Sequence, residues 1–183
     1  MKGFTVWFTG LPSSGKSTLA RMLEKVLNDL DFHVEVLDGH EVRLRLSKGL
    51  GFSKEDRDEN IRLISYVAKI VTRCGGVALT CAISPYREIR DEARKEIGRF
   101  VEVYVKCSLE ECIKRDVKGL YKKALGGEIK NFTGISDPYE EPLNPEIIVE
   151  TDKEPPEESV NKIMKCLNSL GYLPIDESRK ISG

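Results

Sequence analysis

The sequence predicts an α/β domain of three layers, in which helices cover both faces of a mostly parallel, five-stranded sheet. Short apolar runs alternate five times with amphipathic segments along the 183 residues. One run, at 77–82, is almost continuously apolar, as expected of a parallel strand that is covered on both faces. A chain of this length buries a substantial core as one unit, so we expect a single domain over residues 1–183.

The elements follow from the spacing of apolar residues. Strands are predicted at 4–8, 33–38, 77–82, 100–106 and 147–149, and helices at 16–30, 53–74, 87–97, 109–117 and from 156 onward. Ser53, with Asp56 three residues later, and Ser108 are predicted helix N-caps. Residues 40–52 are basic and punctuated by glycines. Residues 118–145 show little periodicity, and we expect that stretch to be irregular.

Residues 10–17, Gly-Leu-Pro-Ser-Ser-Gly-Lys-Ser, match the G-x-x-x-x-G-K-[ST] phosphate loop. The glycines let consecutive N–H groups converge on phosphate oxygens at the start of a helix. Lys16 is then expected to reach the β- and γ-phosphates and Ser17 to ligate Mg²⁺. A chance glycine-rich turn is the alternative, which the strand–loop–helix context disfavours. The predicted ATP-binding residues are Gly10, Leu11, Pro12, Ser13, Ser14, Gly15, Lys16, Ser17 and Thr18. The fold class is accordingly that of phosphate-loop (P-loop) nucleotide-binding domains.

Composition excludes several classes of function. A net charge of −1, with 40% apolar and 32% charged residues, does not favour a nucleic-acid or membrane-surface partner. No run of about 18 apolar residues could span a membrane. Five cysteines without a C-x-x-C pair predict neither a disulfide framework nor a zinc site. The phosphate loop starts so near Met1 that we expect no leader peptide and a cytoplasmic location.

Asp38 is the candidate general base or metal partner. It ends the second predicted strand, directly after the helix of the phosphate loop. A phosphotransferase needs a carboxylate there to accept the acceptor's proton or to hold the shell of Mg²⁺. An ordinary Asp-Gly turn is the alternative. The usual acidic residue is missing after the strand at 77–82, where Ser84 stands instead.

Arg43, Arg57 and Asn60 are candidates for recognition of a second substrate, because the guanidinium fork suits phosphate or sulfate oxygens. A solvated charged face explains them nearly as well. The segment 118–145 mixes lysines with aromatic residues that we expect to be exposed. It is predicted to be a lid, with Phe132 stacking on a purine, and a mobile surface loop is the alternative.

Several blocks beyond the phosphate loop resemble adenylylsulfate kinases, and they lie in order from residue 4 to about 152. They are Phe-Thr-Val-Trp-Phe-Thr-Gly at 4–10, Leu-Asp-Gly at 37–39, Gly-Phe-Ser at 51–53, Glu-Asp-Arg at 55–57, Glu-Asn-Ile-Arg at 59–62, Ile-Ser-Pro-Tyr-Arg at 83–87, Arg-Asp-Val-Lys-Gly-Leu-Tyr-Lys-Lys-Ala at 115–124 and Phe-Thr-Gly-Ile at 132–135. This family phosphorylates the 3′-hydroxyl of adenosine 5′-phosphosulfate (APS, or adenylylsulfate) with ATP, in sulfate assimilation.

The resemblance implies a role for each matching position. Asp38 would lie at the reacting hydroxyl, and Arg115 with Thr151 would flank the ATP adenine. The residues implied around adenylylsulfate are Arg43, Phe52, Arg57, Asn60, Ile83, Ser84, Lys118, Asn131 and Phe132. Ser84 matches a serine described in the family as a phosphorylated intermediate. No base neighbours it in the sequence, so we expect a hydrogen bond to the nucleotide instead.

The chain also departs from the family pattern. His40 replaces an acid in Asp-Gly-Asp, Asn131 replaces a glycine, and Pro12-Ser13 replace small residues. The predicted catalytic residues, Lys16, Asp38 and Ser84, and the predicted metal ligand Ser17 are all present, so we expect activity, with Mg²⁺, a homodimer and functional coupling to an ATP sulfurylase. The alternatives are another small-molecule P-loop kinase and a catalytically silent nucleotide-binding domain.

Overall fold

The computed structural model describes residues 2–174 and contains a five-stranded parallel sheet. The strands are β1 (Phe4–Thr9), β2 (Val34–Asp38), β3 (Val77–Cys81), β4 (Phe100–Lys106) and β5 (Ile147–Glu150), and their order across the sheet is β2-β3-β1-β4-β5. Every pairing between these strands is parallel. The predicted α/β fold with a five-stranded sheet is confirmed.

Seven helices accompany the sheet in the described residues. They are α1 (Lys16–Asn28), α2 (Gly39–Arg45), α3 (Lys54–Arg73), α4 (Arg87–Ile97), α5 (Leu109–Arg115), α6 (Leu120–Leu125) and α7 (Pro156–Ser169). Helix α6 lies in the stretch 118–145, which was expected to be irregular, so that expectation is wrong there, and α2 was not predicted. Each has at most seven residues, and such a short helix shows no repeat of apolar positions.

Two apolar cores lie on opposite faces of the sheet because successive strand residues point to opposite faces. Phe4, Val6 and Phe8 belong to the core under α1 and α7, whereas Trp7 belongs to the core under α3 and α4. All four side chains are fully buried. Burying a large apolar side chain contributes about 1.5–3 kcal/mol, so β1 is firmly anchored and supports the loop that follows it.

Local capping sets several helix boundaries. The Ser53 hydroxyl accepts the Asp56 N–H at 3.1 Å, and the Ser108 hydroxyl accepts the Glu111 N–H. Both predicted N-caps are therefore confirmed. Helix α3 ends before Gly75, whose φ of 89° suits glycine.

The segment 118–145 is packed against the domain. Tyr121 and Phe132 are 0% and 8% exposed and meet edge to face, with ring centroids 5.0 Å apart. They form a third apolar cluster with Cys107, Cys112 and Ala124. The expectation that the aromatic side chains of this segment are exposed is therefore wrong for these two. The short helices α5 and α6 bury apolar side chains in this cluster. The sequence pattern of the segment is irregular and did not indicate this burial.

Candidate active site

The carboxyl ends of the parallel strands bring the predicted site residues to one edge of the sheet. Gly10 follows β1, Asp38 ends β2 and Ser84 lies just beyond β3. The strand register places Phe8 and Asp38 both beside Cys81. Ligands of open α/β sheets bind at this edge, so the fold places the phosphate loop and the candidate base side by side.

The backbone of the phosphate loop requires its two glycines. Gly10 has a φ of 155°, and a Cβ on it would lie 2.5 Å from the Val105 carbonyl oxygen. Gly15 has a φ of 101°, which side chains disfavour. Ser13 also has a positive φ, 61°. The loop therefore curls in a way that turns N–H groups toward the start of α1, the geometry that binds anions.

Lys16 lies within the curl of this loop. Its ammonium donates to the carbonyl oxygens of Gly10 at 2.9 Å and Leu11 at 2.6 Å, and the residue is only 8% exposed. Burial lowers the pKa of Lys16 from its ordinary 10.5 to about 8. The ammonium therefore carries a desolvation cost that phosphate oxygens would offset.

Ser17 and Asp38 join the phosphate loop to the end of β2. The Ser17 hydroxyl donates to Asp38 Oδ2 at 2.8 Å, and the His40 N–H donates to Oδ1 at 2.9 Å. Burial works to raise the pKa of Asp38, but these bonds and the Lys118 ammonium outweigh it, so the pKa falls below its usual range. The carboxylate is thus charged at neutral pH and also caps α2.

Ser84 points into the protein. It is 1% exposed, and its hydroxyl accepts the Trp7 indole N–H at 3.1 Å and donates to the Ala82 carbonyl at 3.3 Å. Its φ of 41° is unusual for a residue with a Cβ. No carboxylate, histidine or lysine bonds to this hydroxyl within residues 2–174. Contact with a nucleotide would require it to leave both partners.

Arg57 links α3 to the segment 118–145. Its guanidinium donates to Thr133 Oγ1 at 2.5 Å and Asp137 Oδ2 at 2.9 Å, and to the backbone oxygens of Phe52 and Asn131. The side chain is 11% exposed, so the alternative of a solvated charged face does not hold for Arg57. Asn131 has a φ of 55°, a conformation that asparagine tolerates, which explains how it replaces a glycine.

Arg43 and Asn60 are also held in place by protein groups. Arg43 donates to two backbone carbonyls, those of Leu50 and Gly51, and lies 4.8 Å from the centroid of the Phe52 ring. Burial, and then the nearby Arg57, lower its pKa. Asn60 is 6% exposed and accepts the Ser47 hydroxyl at 2.6 Å. By contrast, Phe52 is 60% exposed.

Arg115 and Thr151 meet beside the phosphate loop. Arg115 donates to the Thr151 carbonyl at 2.7 Å, and the Thr151 hydroxyl donates to the Ser14 carbonyl at 2.7 Å. We call this pair and residues 10–18, which are predicted to bind ATP, the donor half of the site. The acceptor half is the set predicted to surround the second substrate: Asp38, Arg43, Phe52, Arg57, Asn60, Ile83, Ser84, Lys118, Asn131 and Phe132.

Some residues that shape the site were missed at the level of sequence. Tyr121 donates its hydroxyl to the Pro12 carbonyl at 3.0 Å and so ties α6 to the phosphate loop. The Asp137 carboxylate accepts hydrogen bonds from the Arg57 guanidinium and from the Tyr86 hydroxyl, each at 2.9 Å. Tyr121 stood in a block that matched the family, whereas no signal in the sequence marked Asp137.

A cleft of about 770 Å³ opens beside the site, between the ends of β4 and β5 and residues 134–141. Leu11 is the one predicted site residue on its wall. The Lys16 side chain lies across the phosphate cradle, where it bonds to the Gly10 and Leu11 carbonyls.

Comparison with known proteins agrees with this geometry. The family model described as "Adenylylsulphate kinase" matches residues 2–150. The chain belongs to the adenylylsulfate kinase family. The adenylyl-sulfate kinase of Gloeothece citriformis is 59% identical over 172 residues, which cover 94% of this chain and 98% of that protein.

Two further relatives are similar to nearly the whole of this chain. A probable bifunctional SAT/APS kinase 2 of Sorangium cellulosum is 63% identical over 95% of this chain, and the match spans only 30% of that longer protein. The APS kinase of Mycobacterium tuberculosis, solved in complex with AMPPNP and APS, superposes with a TM-score of 0.88. It is 43% identical over 91% of this chain and 98% of its own.

Proposed function

We propose that this adenylylsulfate kinase transfers the γ-phosphoryl group of ATP to the 3′-hydroxyl of adenosine 5′-phosphosulfate, giving 3′-phosphoadenylyl sulfate and ADP. The observation that carries the proposal is the 2.8 Å contact between Ser17 and Asp38. It places a charged carboxylate from the acceptor half directly against the phosphate loop. A kinase needs the group that accepts the acceptor's proton close to the site that holds the donor phosphate.

The donor half binds and orients ATP. The N–H groups of the loop and the start of α1 hold phosphate oxygens, and the Lys16 ammonium stabilises the charge that develops on the β,γ-bridge. Arg115 and Thr151 flank the adenine of ATP. Positioning the triphosphate in this way removes much of the entropic cost of the transfer.

Residues Ser17 and Asp38 fit a magnesium site. Hydroxyl and carboxylate oxygens are the ligands that Mg²⁺ prefers, and it commonly uses one or two protein ligands together with substrate phosphates. Bound there, the ion would neutralise charge on the phosphates. No group of three or more His, Cys, Asp or Glu side chains that could hold a metal ion occurs in residues 2–174.

Asp38 acts on the acceptor. The Asp38 carboxylate is charged at neutral pH, and we propose that it orients the 3′-hydroxyl and accepts its proton as the bond to phosphorus forms. Arg43, Arg57 and Asn60 surround the anionic end of adenylylsulfate, and Phe52 offers an exposed ring to its base. Transfer runs directly between the substrates, with Ser84 in a supporting position.

The test is formation of ADP and 3′-phosphoadenylyl sulfate by the purified chain with ATP, Mg²⁺ and adenylylsulfate. We expect ADP release to depend on adenylylsulfate and on Mg²⁺. Shikimate, gluconate and nucleoside monophosphates serve as competing acceptors, and turnover with one of them alone would identify a different P-loop kinase. ATP binding without turnover on any acceptor would identify a silent nucleotide-binding domain.

The assembly and setting of the enzyme are also proposed. We infer a homodimer, supported by Leu44 in α2 and Leu46 just after it, which are 55% and 57% exposed near the edge strand β2. Light scattering should then give twice the 20.6 kDa chain mass. Coupling to an ATP sulfurylase is supported by the two activities in the name of the Sorangium relative.

None of the helices between residues 2 and 174 is long and apolar enough to cross a membrane. The cytoplasmic location expected from the sequence stays a proposal, and cell fractionation tests it.

A further inference from the structure

Arg90 is a buried cation that lies behind the acceptor half and not in it. It belongs to α4 and its side chain is 2% exposed. The guanidinium donates to Glu102 Oε1 at 2.8 Å, to the Ser84 carbonyl at 2.6 Å and to the Glu140 carbonyl at 2.6 Å. A buried arginine is costly unless such partners satisfy it, so these three contacts define its position closely.

The two carbonyls belong to different parts of the chain that border the site. Ser84 lies in the turn after β3, where its positive φ needs support from its surroundings. Glu140 lies at the end of the segment 118–145. The same two stretches also bond directly, since the Glu140 N–H donates to the Pro85 carbonyl at 2.8 Å and the Arg87 N–H donates to Glu140 Oε2 at 2.7 Å.

The contacts of Arg90 extend to the end of β1. Its guanidinium lies 5.8 Å from the centroid of the Tyr139 ring, and the Tyr139 hydroxyl meets Thr9 Oγ1 at 2.9 Å. Thr9 in turn donates to the Ile83 carbonyl at 2.7 Å. Arg90 therefore closes a ring of hydrogen bonds around the turn that carries Ile83 and Ser84.

We propose that Arg90 is a positioning residue for the acceptor: it fixes the turn at 83–86 to residues 139–141 and thereby sets the affinity for adenylylsulfate. The inference rests on the proposed function. Within residues 2–174, no residue of the donor half forms a hydrogen bond with Arg90. Arg115, Thr151 and Ser14 of the donor half bond to one another. The effect should therefore fall on one substrate.

Arg99 provides a matched control. It also donates to a backbone carbonyl, that of Gly3 at 2.9 Å, and lies 4.1 Å from the centroid of the Tyr172 ring. It precedes β4, at the sheet edge opposite the site. Arg99→Gln should lower the melting temperature without changing the KM for either substrate.

The experiment compares Arg90→Gln with Arg99→Gln in steady-state kinetics. For Arg90→Gln we expect the KM for adenylylsulfate to rise about tenfold or more, while the KM for ATP changes less than about twofold. Arg90→Lys should restore the charge but only part of the affinity, because an ammonium cannot hold three fixed acceptors as the planar fork does. Equal changes in both KM values, or none, would overturn the proposal.

Hydrogen exchange gives a second readout that does not depend on turnover. The amides of Arg87 and Glu140 should exchange faster in Arg90→Gln and Arg90→Lys than in wild type, and should be unchanged in Arg99→Gln. Unchanged exchange at these amides in a folded Arg90 variant would refute the positioning role. If wild-type protein gave no ADP dependent on adenylylsulfate, the proposed function would fail, whereas the exchange result would still decide the role of Arg90.

Discussion

The donor and acceptor halves of the site are built in different ways. Most of the donor half is one continuous stretch, residues 10–18, made of the loop after a buried strand and the first residues of α1. The acceptor half draws on β2, α2, α3, the turn after β3 and the segment 118–145, and its side chains are joined by hydrogen bonds across long sequence separations. The hydrogen bond from Arg57 to Asp137, for example, joins residues that are 80 positions apart in the sequence.

This difference matches two tasks, binding a nucleoside triphosphate and recognising one particular acceptor. A loop that depends on two glycines, a lysine and a hydroxyl can hold any nucleoside triphosphate. Recognition of one acceptor needs side chains fixed by a second set of contacts, as Arg57 is by Thr133 and Asp137. Changes in the acceptor half should therefore alter the choice and affinity of the acceptor and leave ATP binding intact.

The largest effect is expected at the junction of the two halves. Asp38→Asn keeps a side-chain oxygen that caps α2 but removes the charge. We expect kcat to fall about 100-fold or more, with the KM for ATP nearly unchanged, because loss of a general base costs about 10²–10⁴ in rate. Steady-state kinetics measures this, with the exposed Asp31→Asn as control. Wild-type kcat in Asp38→Asn would remove Asp38 from the mechanism.

The next effect should be confined to the acceptor. Arg57→Gln removes a largely buried, hydrogen-bonded guanidinium and leaves the Asp137 carboxylate with the Tyr86 hydroxyl as its remaining side-chain partner. The KM for adenylylsulfate should rise about 10- to 100-fold, since hydrogen bonds to charged groups contribute about 1.5–3 kcal/mol each. Arg62→Gln, a half-exposed position on the same helix, should change it less than about twofold. An equal rise in the KM for ATP would argue against separate donor and acceptor halves.

A smaller effect is expected where α6 touches the phosphate loop. Tyr121→Phe removes the bond to the Pro12 carbonyl and leaves that acceptor unpaired. We expect the free energy of unfolding to fall by about 1 kcal/mol in urea denaturation. Tyr66→Phe, at a position 56% exposed, should change it by less than about 0.5 kcal/mol. Equal stability of the two variants would mean that the Tyr121 hydroxyl contributes nothing.

The subtlest effect concerns protons in the donor half. Lys16 has a pKa of about 8, so roughly half of it is neutral at pH 8 in the free protein. Triphosphate oxygens favour the charged form, so ATP binding at pH 8 should take up about half a proton, and binding at pH 6.5 almost none. Calorimetry in buffers of different ionisation enthalpy measures this uptake. Lys16→Arg stays charged and should show none, and equal uptake by that variant would assign the proton to another group.

The sequence predicted the donor half more completely than the acceptor half for a physical reason. The loop, its glycines and the cap at Ser53 depend on neighbours a few residues away, which local patterns reveal. The contacts of Arg57 and the burial of Phe132 depend on how segments meet in space. Helices α2 and α6 escaped notice because each is too short to show a periodic pattern.

The separation of the halves is tested most directly by calorimetric dissociation constants for ATP and for adenylylsulfate, each measured on Lys16→Met and on Arg57→Gln. We predict a crossed pattern: Arg57→Gln weakens adenylylsulfate about tenfold or more and spares ATP, whereas Lys16→Met weakens ATP and spares adenylylsulfate. Loss of both affinities in both variants would contradict the division and show a single, jointly organised site.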